Sequence, residues 1–271
     1  MPILLIAAIL GLVEGLTEFL PVSSTGHLIV VSSWLGFESE RANLFNIVIQ
    51  SAAILAVCWE YRERLRDSMR GVFREPKATR FVLNIGIAFV PLALVGFLFG
   101  KKIKALLFNP GTVAASFVVG GVVILVMERW LKRRPGGEER PDTLMTVDDV
   151  SPLKALQLGL LQTLALIPGV SRSGATIIGG LGLGLSRKAA AEFSFFLAVP
   201  TLGMATLYEL YKERHLIVAD DWAMWLVGFT TAFLSAFACI RWMLRYVTTH
   251  GFGIFAWYRI AVGFAILFSL Q

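Results

Sequence analysis

Charge is scarce in this chain, and so are the residues that tie small secreted domains together. Only 16% of its 271 residues are Asp, Glu, Lys or Arg, well below the roughly 25% of a typical soluble domain. The two cysteines, Cys58 and Cys239, both lie in apolar runs, so neither a disulfide framework nor a zinc site is indicated. Alternating polar and apolar segments of about ten residues, which a transmembrane barrel requires, are missing. What is present in excess is hydrocarbon: 56% of the residues are hydrophobic and the mean hydropathy is +0.70. Soluble enzymes, disordered tails and outer-membrane barrels are excluded, and an integral membrane protein is left. The net charge of +6 then serves to set orientation against anionic lipid, and no nucleic-acid partner is expected. The apolar run 3–13 lacks a basic leader and does not read as a cleaved signal.

Six stretches are long enough to span a bilayer: 44–59, 81–100, 112–127, 193–211, 222–240 and 252–270. Two further regions are apolar but broken. Residues 3–20 run into Pro21-Val22-Ser23-Ser24-Thr25-Gly26-His27, and the apolar stretch after it, 28–37, is about 15 Å long as a helix. Residues 153–167 likewise run into Pro168-Gly169-Val170-Ser171-Arg172-Ser173-Gly174, followed by the short 177–186. Polar turns inside apolar sequence imply burial in protein or in a wet cavity, so both regions read as re-entrant helical hairpins.

Laid on itself at an offset of 148, the chain matches without gaps: Gly11 meets Gly159, Leu16 meets Leu164, Val22 meets Val170, Ser23 meets Ser171, Gly26 meets Gly174, and Glu14 meets Gln162. One hairpin plus three spans per copy inverts the second copy relative to the first. The expected fold is an all-α polytopic membrane protein of six transmembrane helices and two re-entrant hairpins. Its first repeat covers 1–128 (hairpin 1–37), a solvated cytoplasmic linker covers 129–152, and the second, inverted repeat covers 153–271 (hairpin 153–186). With 62–80 inside, the cytoplasmic loops carry 17 Lys and Arg and the outer loops 6, while Arg172 and Arg259 are left at membrane depth. Arg259 is expected to pair with Glu192 or Glu209 or to snorkel. Gln50 and Asn84 read as interhelical hydrogen bonds.

The two turns carry complementary chemistry. Glu14 and Glu18 stand one helical turn apart, where like charges repel unless a cation lies between them, and His27 with Ser23, Ser24 and Thr25 follows closely. The second turn brings the Arg172 fork, the hydroxyls of Ser171, Ser173 and Thr176, and Gly174 at the start of a short helix, a set suited to phosphate. Together they indicate a divalent cation and a phosphate group. Glu14 and Glu18 are the metal candidates. Ser23, Thr25, Ser171, Arg172, Ser173, Gly174 and Thr176 are the phosphate candidates. Ser24 is the first choice of nucleophile with His27 as its base, beside Glu18 and Arg172; attack by His27 or by water stays open.

The stretch Glu14-Gly-Leu-Thr-Glu18-Phe-Leu-Pro-Val-Ser-Ser-Thr-Gly-His27 and the stretch Pro168-Gly-Val-Ser-Arg-Ser-Gly-Ala-Thr176 resemble the two signature motifs of the undecaprenyl-diphosphate phosphatases, the bacitracin resistance family of bacterial inner membranes. The resemblance covers essentially the whole chain, including Glu192-Phe-Ser-Phe, with no departure at a motif position. It implies removal of the terminal phosphate of undecaprenyl diphosphate to recycle the lipid carrier of peptidoglycan synthesis, a site facing the periplasm, and a divalent cation, Mg²⁺ or Ca²⁺. The partners implied are a polyprenyl diphosphate and membrane lipid; a homodimer is left open. The rival is a transporter or flippase of the same lipid, since inverted repeats with broken helices also build carriers.

Overall fold

The computed structural model describes residues 1–134, 143–218 and 221–269, and among these residues the chain is helical throughout, with one isolated strand-like pairing of Leu144 with Leu185. Five helices are long and apolar enough to cross a membrane: α3 (Glu40–Glu60), α5 (Pro76–Leu107), α6 (Pro110–Arg133), α9 (Arg187–Lys212) and α10 (Trp222–Val247). The chain is a multi-pass membrane protein. The expected sixth span is α11 (Gly253–Ser269), shorter than those five at 17 residues, or about 25 Å. Several starts follow local rules. Ser39 caps α3 by accepting from Ala42 N at 3.0 Å, and Asn109 caps α6 by accepting from Thr112 N at 2.9 Å, with Pro110 first in the helix.

The broken regions are helix pairs. α1 (Ile3–Thr17) is followed by α2 (Ser24–Trp34), and α7 (Pro152–Gln162) by a 3₁₀ turn (Thr163–Leu166) and α8 (Arg172–Gly182). The second helix of each pair starts earlier than the apolar pattern suggested, because Ser23 and Ser171 act as N-caps. Ser24 to His27 and Arg172 to Thr176 therefore sit in first helical turns rather than in loops.

Packing crosses between the halves of the chain. α1 lies along α10 and α7 along α5, while α3 meets α9 and α6 meets α11. Gly11 and Gly159, which coincide in the repeat, make the same kind of contact. A Cβ on Gly11 would run into Thr231 and the Gly228 carbonyl of α10, and one on Gly159 into the Ala88 carbonyl of α5. Aromatic rings fill the centre, with Phe19 set edge-on to Phe195 at 5.2 Å. Large side chains such as Phe97, Val119 and Phe268 face outward, as a hydrocarbon surrounding permits.

Two expectations need correction. The basic stretch 62–80 is not simply a loop, since α4 (Arg62–Gly71) occupies its first half. The linker 129–152 begins as the last turn of α6 and ends packed: Val147 and Val150 are buried, Asp148 pairs with Arg64, and the Val150 carbonyl accepts from Asn84 at 2.7 Å and from Arg80. Asn84 thus binds a loop carbonyl, not a neighbouring helix. The Pro-Gly-Gly of this linker lies outside the described residues. Nearby, Arg187 at the start of α9 grips the Glu128 carboxylate of α6, with Nη2 to Oε2 at 2.9 Å, and Phe252 N donates to the same carboxylate at 2.8 Å.

Candidate active site

The last turn of α1 carries Glu14, and its C-terminal cap is Glu18. Both side chains are buried in protein, and ionised groups there require partners. Glu18 has three. The Ser24 hydroxyl donates to its Oε2, Gln50 Nε2 lies 3.5 Å from the same oxygen, and Arg172 Nη2 reaches its Oε1 at 3.4 Å. Glu14 is fully buried, yet neither of its oxygens has a hydrogen-bond partner. Its repeat mate Gln162 is equally buried, with an amide equally without partners.

The tips of the two pairs touch. The Leu20 carbonyl, just after Glu18, accepts from Ser173 Oγ at 2.7 Å and from Ser171 Oγ at 3.4 Å. Ser171 Oγ also accepts from Gly174 N at 3.0 Å, capping α8. Thr176 Oγ1 bonds the Arg172 carbonyl at 3.0 Å and Ser194 Oγ at 2.7 Å. The hydroxyls expected to surround phosphate are therefore already engaged in joining the turns and closing helix ends, as Ser and Thr tend to be at helix starts. Arg172 is held by the Ser194 carbonyl at 2.8 Å and by Glu18, and its Nε keeps a free donor although buried. Thr25 is exposed.

His27 is not bonded to Ser24. Its Nδ1 lies 2.7 Å from the Ser23 carbonyl and its Nε2 lies 2.7 Å from Tyr258 Oη. The Ser24 hydroxyl is bonded to the Glu18 carboxylate and not to His27, the partner expected for it. Ser23 carries a φ of 71°, the one left-handed non-glycine residue among those described.

Arg259 was expected to pair with Glu192 or Glu209. It is 2% exposed and binds four carbonyls instead: Pro21 at 3.0 Å, Gly169 at 2.9 Å, Ser116 at 2.8 Å and Phe117 at 3.4 Å. A guanidinium with five donors can stitch the first tip to the second without any carboxylate. Glu192 bonds Tyr61 and Glu209 pairs with Lys212. Sequence reasoning also missed Ser194, Gln50 and Tyr258 as members of the cluster. Ser194 lies within Glu192-Phe-Ser-Phe, but its bonds to Arg172 and Thr176 could not be read from spacing.

The fold and this cluster define a class: a polytopic helical membrane protein with a carboxylate, a hydroxyl and a guanidinium gathered where two broken helix pairs meet. Comparison with known proteins narrows it. Residues 7–265 match the family described as bacitracin resistance protein BacA, and the chain belongs to that family. A protein of Dechloromonas aromatica named undecaprenyl-diphosphatase is 62% identical over 271 residues, covering 100% of this chain and 96% of the relative. A protein of the same name from Methylococcus capsulatus is 58% identical over 96% of this chain and 93% of its own. One from Rhodospirillum rubrum, named undecaprenyl-diphosphatase 2, is 55% identical with the same coverage.

Proposed function

We propose that the chain is a membrane-embedded undecaprenyl-diphosphate phosphatase, which hydrolyses its lipid to undecaprenyl phosphate and inorganic phosphate. The observation that carries this reading is the shared Glu18 carboxylate, which accepts the Ser24 hydroxyl on one oxygen and the Arg172 guanidinium on the other. A carrier needs a cation and an anion site but no hydroxyl set against a base. The names of the relatives point the same way, and the flippase alternative has no observation of its own.

Phosphoryl transfer is mainly a matter of position and charge. Glu18 takes the proton of Ser24 Oγ as that oxygen bonds to the terminal phosphorus and the bond to the bridging oxygen breaks, releasing the lipid monophosphate. Water then bonds to the phosphorus of the phosphoserine as the bond to Ser24 Oγ breaks; Glu18 gives its proton back to Ser24 Oγ, and the water oxygen leaves in the inorganic phosphate. The free Arg172 Nε and the first amides of α8 meet the phosphoryl oxygens, where a fork and a helix start hold negative charge well. Ser23, Ser171, Ser173, Gly174 and Thr176 shape this cradle, and Thr25 stands at its exposed edge.

The donor set suits a hard divalent cation, Mg²⁺ or Ca²⁺. Both Glu14 oxygens are buried without partners, and Glu18 lies one turn away. No group of three or more His, Cys, Asp or Glu occurs among the described residues, so substrate oxygens and water would complete the shell. Glu14 and Glu18 would hold such an ion, and it would supply neutralising charge for the diphosphate.

Several features favour two inverted repeats, each a re-entrant pair plus three spans with α11 as the sixth: the matched glycines, the crossed packing of α1 on α10 and α7 on α5, and the meeting of the tips. The basic loop count then favours an inner-membrane protein with its site open to the periplasm. A homodimer is compatible with this arrangement. The test is phosphate release from a polyprenyl diphosphate by purified protein in detergent. Release that chelator and Arg172→Ala each abolish is expected; no release by the wild type overturns the reading.

A further inference from the structure

We propose that Tyr258 is a positioning residue for the first tip, and that His27 serves as the middle of a brace running from Tyr258 to the Ser23 backbone rather than as the base for Ser24. The kinetic part of this inference rests on the phosphatase reading; the geometric part does not.

The brace is defined by contacts at both ends of the imidazole. A backbone carbonyl only accepts, so the 2.7 Å contact from Nδ1 to the Ser23 carbonyl places the hydrogen of the neutral ring on Nδ1. Nε2 is then an acceptor, and the Tyr258 hydroxyl at 2.7 Å donates to it. The rings also lie face to face, 5.6 Å between centroids and 6° from parallel, with Phe117 5.4 Å from the imidazole on α6. Both ring nitrogens are thereby occupied, and the Ser24 hydroxyl turns to Glu18.

What the brace holds is a costly conformation. Ser23 stands at φ 71° and ψ 92°, a region that is unfavourable for a non-glycine residue and persists only where surroundings enforce it. The His27 side chain and the His27 backbone N–H, at 3.2 Å, both hold the Ser23 carbonyl. Because Ser23 is the residue before Ser24, its orientation decides where the Ser24 hydroxyl points. Tyr258 is well placed to set it, since the next residue on α11, Arg259, is anchored to the Pro21 and Gly169 carbonyls of the two tips.

The test uses Tyr258→Phe, which keeps the ring and its stacking and removes only the hydroxyl. Full-length protein in detergent is treated with diethyl pyrocarbonate, and modification of His27, His215 and His250 is followed by peptide mass spectrometry. Freed of its donor, Nε2 of His27 should react several-fold faster than in wild type, with His215 and His250 unchanged as controls. With polyprenyl diphosphate as substrate, kcat should fall about tenfold, the equivalent of one hydrogen bond, with KM within twofold and the melting temperature unchanged. In a His27→Ala background the same change should have no further effect on kcat. Equal His27 labelling in both proteins overturns the brace, as do effects of Tyr258→Phe and His27→Ala that multiply. If the wild type releases no phosphate, the phosphatase reading fails and labelling alone decides the brace.

Discussion

The two turns that interrupt the apolar helices align residue for residue, Ser23 on Ser171 and Gly26 on Gly174, yet they use their polar atoms in opposite ways. In the first, Ser24 is bonded to a carboxylate side chain, and Glu14 keeps two buried oxygens without partners. In the second, Ser171, Ser173 and Thr176 are bonded to backbone, to one another or to Ser194, and what is left over is the Arg172 Nε and the neutral amide of Gln162. A buried polar atom without a partner is costly, so proteins keep few of them, and those kept point to a ligand. The two tips thus differ in the charge of what is left free: an anionic carboxylate in the first, and a guanidinium N–H with a neutral amide in the second.

Four measurements would break or sharpen that contrast. The largest effect is expected for Glu18→Gln, which removes the carboxylate charge that accepts from Ser24 and pairs with Arg172; kcat should fall by about 10³-fold or more. A loss under tenfold would move the reactive group elsewhere. Arg172→Lys comes next. A point charge replaces the fork, so loss on the order of 10²-fold is expected in kcat, with little rescue relative to Arg172→Ala. At the second tip, Ser173→Ala removes the 2.7 Å bond to Leu20. It should cost about 1 kcal/mol of stability, seen as a lower melting temperature, while kcat changes only a few-fold. A kcat loss as deep as that of Arg172→Lys would make the hydroxyl a ligand contact instead.

The smallest effect supplies a baseline far from both tips. The Thr146 backbone N–H and hydroxyl, each 2.9 Å from Asp149 Oδ2, hold the Asp149 carboxyl below its usual range. A depressed carboxyl adds stability above its unfolded value of about 3.9, and that increment disappears as pH falls through the lower folded value. Asp149→Asn should thus lower the melting temperature slightly at pH 7 and not at all in strong acid, with phosphate release unchanged.

Much of this was legible in the residues. Span positions followed from long apolar runs, because a helix in hydrocarbon must satisfy its backbone internally and hide little else. The broken regions were legible as polar turns inside apolar sequence, while the direct pairing of Glu18 with Arg172 was not, because the two residues read as holding a cation and a phosphate. Helix starts were misjudged by a few residues, since Ser23 and Ser171 looked like turn residues before their capping bonds were seen. The hydrogen-bond partners of His27 were missed for a different reason. Its partner Tyr258 stands 231 positions away, and no spacing rule connects residues that meet only through the packing of α11 on α6.

Sequence alone determined that this chain lives in a membrane, that it breaks its helices at two related places, and that one break is acidic and the other cationic. Those properties are local: they depend on hydropathy, capping and charge along a single strand of chain. Tertiary structure decided which atoms remain free. Arg259 crossing both tips, Ser173 closing on Leu20 and Tyr258 reaching His27 are contacts between distant segments. A hydrogen bond made there removes a donor or acceptor from chemistry, which no reading of residue types can foresee.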